Sequence, residues 1–408
     1  MATHDSATRR KPRVRARQRA NGRYAHVIGW GVEVPERVLT NAEIESMVDT
    51  SDQWIRERTG IAERRIADDR DTTESLGLRA ARKALNHANV SPRDLDLIIV
   101  ATSSPSHLFP ATANIIQDRL GAPRAAAFDV LAACTGFIYA LSLAASQIET
   151  GAVDTALVIG AETLSRIVDW TDRSTCILFG DGAGAFVLHA ADTPGGIREV
   201  VLHSDGSGGD YLFAPTGVRT GWNGSTPKQS LVMNGREVFR FASRVMVQAT
   251  EEVLELAGLD ADDIDLFVPH QANLRIIQSA ARGLHLPMDR FFVNIDRYGN
   301  TSTASIPIAL AEAVEQQRVK PNDRIVLVGF GAGLTWGALL LEWQPRPTAR
   351  TQFGEMLSEG WYVLAHVRSM FRRFLRMLEA MFWYPHNPVK RMARRLERDD
   401  GHEGEPPK

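Results

Sequence analysis

The chain has 408 residues, 44% of them hydrophobic, enough to bury a large core in two domains or in one duplicated one. Its two cysteines, Cys134 and Cys176, exclude a disulfide framework and fit a reducing, cytoplasmic setting; no apolar run reaches the roughly eighteen residues a membrane span needs. The net charge of −2 resolves into +7 over residues 1–24, −13 over 25–344 and +4 over 345–408, so the acidic body is not built for nucleic acid. The N-terminal arm, residues 1–24, is basic and polar, with no apolar signal core, and is expected to be disordered.

In chain order, Trp54-Ile-Arg-Glu-Arg58 comes first, an aromatic ring with a guanidinium four residues on. With Arg173 it offers the groups that stack a purine and pair phosphates. Leu97-Ile-Ile-Val-Ala101 is apolar without alternation, as a strand buried on both faces would be. Phe109 lies in a Ser-His-Leu-Phe-Pro segment. Then Phe128-Asp-Val-Leu-Ala-Ala-Cys134-Thr-Gly136 reads as a short strand, a turn of small residues and a helix with apolar positions at 137, 138, 141 and 144. A cysteine at a helix start faces unpaired N–H groups, which is expected to lower its pKa. Cys176 lies in an apolar stretch and is expected in the core. Gly180-Asp-Gly-Ala-Gly184 precedes a strand, not a helix, so it signals close backbone packing and not a phosphate loop.

The second part of the chain echoes the first. Leu254-Glu-Leu-Ala-Gly-Leu-Asp-Ala-Asp-Asp-Ile-Asp265 resembles the segment ending at Asp96, 169 residues earlier, and Asp323-Arg-Ile-Val-Leu-Val-Gly329 resembles Asp154 to Gly160 at the same separation. Two homologous α/β halves, 25–190 and 195–344, follow from one shared offset. At that offset Cys134 faces Thr303 and Ala101 faces His270, so His270 and the segment Tyr298-Gly-Asn300-Thr-Ser-Thr are expected at strand ends beside the cysteine, at a pseudo-twofold interface. His270 is expected to open a helix near Gln271. Cys, His and Asn supply a nucleophile and two neutral hydrogen-bond donors for a developing oxyanion, the needs of acyl transfer.

These motifs, DVLAACTGF, FGDGAGA, HQANLRII, GNTSTASIP and GFGAGLTWG in that order over residues 25–344, resemble the thiolase superfamily and, within it, the β-ketoacyl-acyl-carrier-protein synthase III family. The resemblance implies a layered αβαβα core of two homologous halves, a homodimer, and decarboxylating condensation of an acyl-CoA with malonyl-acyl-carrier protein through an acyl-cysteine, with no cofactor and no metal. It assigns Cys134, His270 and Asn300 to catalysis and the backbone N–H groups of Cys134 and Ala332 to the oxyanion hole. It places Trp54, Arg58, Arg173 and Asn273 at the coenzyme A nucleotide, Gln271, Ala272, Asn273, Leu274 and Arg275 against the carrier protein, and Phe109 across a dimer interface in the acyl pocket. Degradative thiolases carry a second cysteine near the last Gly-rich strand; here that segment is Gly329-Phe-Gly-Ala-Gly-Leu334, which argues for carbanion formation by decarboxylation. A ketosynthase or acyltransferase of secondary metabolism, a cysteine hydrolase and a non-enzymatic membrane scaffold remain as other readings.

The chain departs from the family after Trp343, continuing for 65 residues. Between 355 and 384, Leu364, Val367, Phe371, Phe374, Leu375, Leu378, Met381 and Phe382 share one helical arc; Arg368, Arg372, Arg373 and Arg376 share another, with Trp361 and Trp383 near the ends. A basic amphipathic helix of this kind is expected either to lie on an anionic membrane surface, peripherally, or to dock on the enzyme or its dimer. Residues 399–408 are expected to be disordered.

Overall fold

The computed structural model describes residues 22–215 and 230–344, together with residues 360, 362, 364 and 367–378 of a C-terminal helix. The expectations for the arm before residue 22, for 399–408, and for Trp361, Met381, Phe382 and Trp383 lie outside the described residues.

Two sheets carry the fold. The first has strands β1 (Tyr24–Glu33), β2 (Leu97–Ala101), β3 (Ala126–Val130), β4 (Thr155–Glu162) and β5 (Gly182–Ala191), in the order β1-β5-β4-β2-β3. The second has β6 (Gly196–Ser204), β7 (Leu266–Pro269), β8 (Arg324–Gly331) and β9 (Thr335–Glu342), in the order β7-β8-β9-β6. In each, a parallel pair (β2 with β4, β7 with β8) is extended by an antiparallel strand.

Helix α1 (Asp52–Thr59) stands outside this frame, and the layers are built by α2 (Thr73–Ala88), α3 (Thr112–Leu120), α4 (Gly136–Glu149), α5 (Gly235–Ala257), α6 (Leu274–Gly283) and α7 (Ser305–Glu315). Helices α4 and α7 lie between the sheets: Phe137, Ile138, Leu141 and Ala144 join Ile306, Ala309 and Leu310 in one core with Ile99 and Val158 of the first sheet and Val268 and Leu327 of the second. Because sheets flank these helices on both sides, their sequences are apolar nearly all round. Helices α2 and α3 cover the outer face of the first sheet, and α5 and α6 that of the second, which completes an αβαβα stack. In β2, Leu97, Ile99 and Ala101 face the inner core while Ile98 and Val100 face the outer one, so the strand has no polar alternation.

The repeat is visible residue by residue. Strands β4 and β8, residues Thr155–Glu162 and Arg324–Gly331, are 169 positions apart at both ends. Ala133 and Ser302, also 169 apart, both take the left-handed backbone (φ 44° and 49°) that non-glycine residues rarely adopt. Both halves therefore reach the molecular centre through the same strained turn, followed by a buried helix.

Two surface features complete the frame. Strand β3 is an edge strand; Phe128 within it and Leu131 just after it are exposed, as are Leu108 and Phe109 in the segment before α3, whose first residues bond Asp129 of β3. The C-terminal helix docks on α2 and α3, but by its polar side. Tyr362 is buried with its ring under Arg82, Ser369 Oγ donates to Asp118 (2.6 Å), and Arg373 pairs with the same carboxylate (2.7 Å). The apolar arc points away from the protein, with Leu364, Val367, Phe371, Phe374 and Leu375 exposed and Leu378 partly buried.

Candidate active site

Cys134 occupies a single 3-10 turn, Ala133–Thr135, that runs directly into α4. The turn is clasped by the Gly-rich end of β8. A Cβ added to Gly331 would lie 2.7 Å from Cys134 N and 3.1 Å from Ala133 Cβ, so only glycine permits this approach. Thr335 Oγ1 lies 3.0 Å from Ala132 O and 3.2 Å from Thr135 Oγ1, tying the turn to the start of β9. The expected depression of the thiol pKa is corrected here. Burial pushes Cys134 up to about 12, and the Glu162 carboxylate acts in the same sense, against a hydrogen bond from Ser302. Burial thus favours the thiol over the thiolate, with no cationic side chain among the described residues set against it.

His270 follows β7, and its N–H donates to Val328 O (2.8 Å). The helix after it begins at Leu274, capped by Asn273, and not near Gln271 as expected, because the intervening residues form a buried link with Gln271 at its centre. His270 is 1% exposed, and burial lowers its pKa to about 3, so the ring is neutral. Nδ1 lies 2.6 Å from Ser305 Oγ, which in turn accepts the Gln271 N–H (3.4 Å). A Ser305 hydroxyl that donates to Nδ1 puts the ring proton on Nε2, the tautomer that offers a donor to the cavity. Nε2 is buried, without a partner among the described residues, and His270 borders the same cavity as Cys134. Asn300 lines that cavity too; its Oδ1 accepts from Ser302 N (2.8 Å), which leaves Nδ2 to donate.

The cavity holds about 450 Å³ and runs from Cys134, His270 and Asn300 out to Trp54, Arg58 and Asn273. Arg58 and Arg173 bracket the Trp54 ring at 5.9 and 4.9 Å. Asn273 Nδ2 donates to Arg58 O (3.0 Å), joining α6 to α1 at the mouth. Ala272 lines the wall, Leu274 packs on Gly60, and Arg275 is exposed over Phe239 (5.5 Å). Gln271 departs from its expected place on a carrier surface. It is 1% exposed, with its amide spent on Pro269 O, Phe292 O and Asn294 N, so it braces the loop. Phe109 is 85% exposed and stands apart from this cavity. Ala332 follows Gly331 directly, at the turn beside Cys134. Cys176 is buried in an apolar cluster, and Gly184 packs on Pro307, where a Cβ would come within 2.6 Å.

Sequence reasoning missed a layer behind these groups. Glu162, at the buried end of β4, accepts from Ser103 N (3.0 Å) and Thr303 Oγ1 (3.0 Å), with burial raising its pKa. It fixes the Asn300–Thr303 turn from below. An acid closing an otherwise apolar strand was the available signal. Phe330, edge-on to His270 at 5.2 Å within the GFGAGLTWG segment, and Phe239, outside the motifs, form apolar walls.

Comparison with known proteins bears on this arrangement. The family models described as 3-oxoacyl-[acyl-carrier-protein (ACP)] synthase III and its C-terminal part match residues 128–206 and 254–343. The β-ketoacyl-[acyl-carrier-protein] synthase III of Symbiobacterium thermophilum is 54% identical over 321 residues, covering 78% of this chain and 97% of that protein. The crystal structure of the 3-oxoacyl-[acyl-carrier-protein] synthase III of Aquifex aeolicus superposes with a TM-score of 0.74 at 48% identity, over 78% of this chain and all of that one. A priming β-ketosynthase from the R1128 polyketide pathway gives 0.76 at 39% identity, over 82% of this chain and all of its own.

Proposed function

The chain belongs to the 3-oxoacyl-[acyl-carrier-protein] synthase III family of thiolase-like condensing acyltransferases, and from that premise we propose that it joins an acyl-CoA starter to malonyl-acyl-carrier protein, initiating fatty acid synthesis. One observation carries the reading: Cys134, His270 and Asn300 converge on one cavity, with the His270 Nε2 buried and without a partner among the described residues.

In the first half-reaction Cys134 Sγ attacks the acyl-CoA carbonyl, with the backbone N–H groups of Cys134 and Ala332 receiving the oxyanion. The C–S bond to coenzyme A breaks, and the proton leaving Cys134 ends on the coenzyme A sulfur. Because burial raises the thiol pKa, the proton leaves as the new bond forms and not beforehand. Trp54, Arg58 and Arg173 hold the nucleotide end, and Arg275 meets the acidic carrier protein at the rim.

In the second half-reaction malonyl-carrier protein loses CO₂. The electrons of the broken C–C bond pass to the thioester oxygen, which becomes an enolate held by His270 Nε2–H and Asn300 Nδ2–H. Two neutral donors stabilise charge as it appears and demand no proton beforehand. The enolate carbon attacks the acyl-cysteine, and Cys134 leaves as thiolate to be reprotonated. The sequence consumes no metal or redox cofactor. Exposed Phe109, Leu108 and Leu131 beside the β3 edge are read as the homodimer face, carrying Phe109 towards the partner's acyl pocket.

Incubation with a panel of labelled acyl-CoAs, then with malonyl-carrier protein, tests the reading. Cys134→Ala should form no acyl-enzyme, whereas His270→Ala should still acylate but release no CO₂; the reverse pattern would exchange the two roles. Breakdown of the acyl-enzyme to free acid without a malonyl donor would identify a hydrolase. The likeness to a priming polyketide ketosynthase supports a second reading, condensation in secondary metabolism, and starter preference across the same panel separates it.

A further inference from the structure

The C-terminal helix is mounted the opposite way from an ordinary docked amphipathic helix. Tyr362, Ser369 and Arg373, spaced i, i+7 and i+11, form the seam against α2 and α3. Across the helix from that seam, Leu364, Val367, Met370, Phe371, Phe374 and Leu375 are all exposed, between 40% and 58%. A helix docked only to stabilise the fold would bury this arc. The polar seam instead fixes its orientation and holds the apolar side outward.

Charge indicates what that side meets. Residues 360–378 carry four arginines and no acidic residue. Arg368, Arg372 and Arg376, at i, i+4 and i+8, run along one margin of the arc. Between this margin and α3 lies a cleft of about 500 Å³ lined by Arg119, Arg372, Arg373 and Arg376, with Glu74 and Asp118 the carboxylates present. Four guanidinium groups against two carboxylates leave the cleft cationic, and the arginine margin alone separates it from the apolar arc around the helix. That pairing fits an amphiphile with an anionic headgroup and acyl chains.

We propose that this face seats the enzyme on an anionic lipid bilayer, the cleft receiving lipid phosphates while the apolar arc enters the acyl boundary. A second copy of the chain fits less well, because self-pairing would set two guanidinium margins together without supplying anions. The lipid surface supplies the opposite charge and the apolar phase at once.

The test uses full-length protein and sedimentation with vesicles of phosphatidylcholine alone or mixed with phosphatidylglycerol. Wild type should partition onto the mixed vesicles and release as salt is raised. Phe371→Ser with Phe374→Ser should lower that partitioning at least about tenfold, and Arg119→Gln with Arg376→Gln should do so comparably for the anionic vesicles. Acyl-enzyme formation in both variants reports that they are folded. Wild type remaining in the supernatant, or the serine variant binding as well as wild type, would overturn the proposal. So would a smaller oligomer for the serine variant in lipid-free buffer with vesicle binding unchanged, which would assign the face to a second copy.

Discussion

At the scale of single residues, the site is governed by what burial does to proton affinity. His270 is neutral because desolvation penalises its cation, and Ser305 is the side chain that engages its Nδ1. Ser305→Ala would leave both Nδ1 and the Gln271 N–H without a partner, at about 1–3 kcal/mol for a buried polar group. The expected result is a loss of about tenfold in condensation, with acyl-enzyme formation much less affected, read from separate half-reaction assays. The same burial has a thermodynamic sign. The folded pKa, about 3, lies below the ordinary 6.5, so the unfolded chain binds a proton in this window that the native state refuses. Stability contributed by this group is present above 6.5 and is lost as pH falls towards 3. Between about pH 6.5 and about pH 5, wild type should lose about 1.5 kcal/mol more than His270→Gln in urea unfolding.

At the scale of elements, catalysis depends on two mirrored turns pressed against strand ends. The Ala133–Thr135 turn is held by β8, and the Ser302–Ala304 turn by β4, where a Cβ on Gly160 would lie 2.3 Å from Thr303 O. Neither contact leaves room for a side chain, and each turn carries one residue in the left-handed region. Gly331→Ala should therefore displace the nucleophile without unfolding the sheets. We expect acyl-enzyme formation to fall by about a hundredfold, since misplacement of about 1 Å costs that much, while the far-ultraviolet dichroism stays that of wild type.

At the scale of the whole molecule, two of the exposed apolar areas among the described residues lie apart from each other. The β3 edge, with Phe128, Leu131, Leu108 and Phe109, is an open template for pairing with a second sheet. Leu131 is 79% exposed, so a charge there costs the monomer little. If the β3 edge is the homodimer face proposed above, Leu131→Asp should shift the protein from dimer to monomer in light scattering, and acyl-CoA turnover should fall with it as each pocket loses the partner's aromatic. The outward arc of the C-terminal helix is the second, and Phe371→Ser with Phe374→Ser there should leave a dimer formed through the β3 edge intact.

The sequence by itself determined the duplicated α/β class, because buried strands and helices leave unalternating apolar runs and the copies keep one offset of 169 residues, visible at Asp96 and Asp265. It also marked Cys134, His270 and Asn300, since glycines and small residues crowd positions where backbone must approach backbone. Only the tertiary structure decided the rest. The thiol pKa follows from three-dimensional burial, which local helix position cannot report. Gln271 shares its motif with Arg275, yet one is sealed in the loop and the other faces solvent, because the helix starts three residues later than the pattern suggests. Glu162 is summoned to the site by a strand end far from any motif. In the tail, periodicity defined the two faces but not their direction. That was settled by Asp118, Asn86 and Arg82, which lie more than 250 residues away along the chain and give the polar side a better partner than water does.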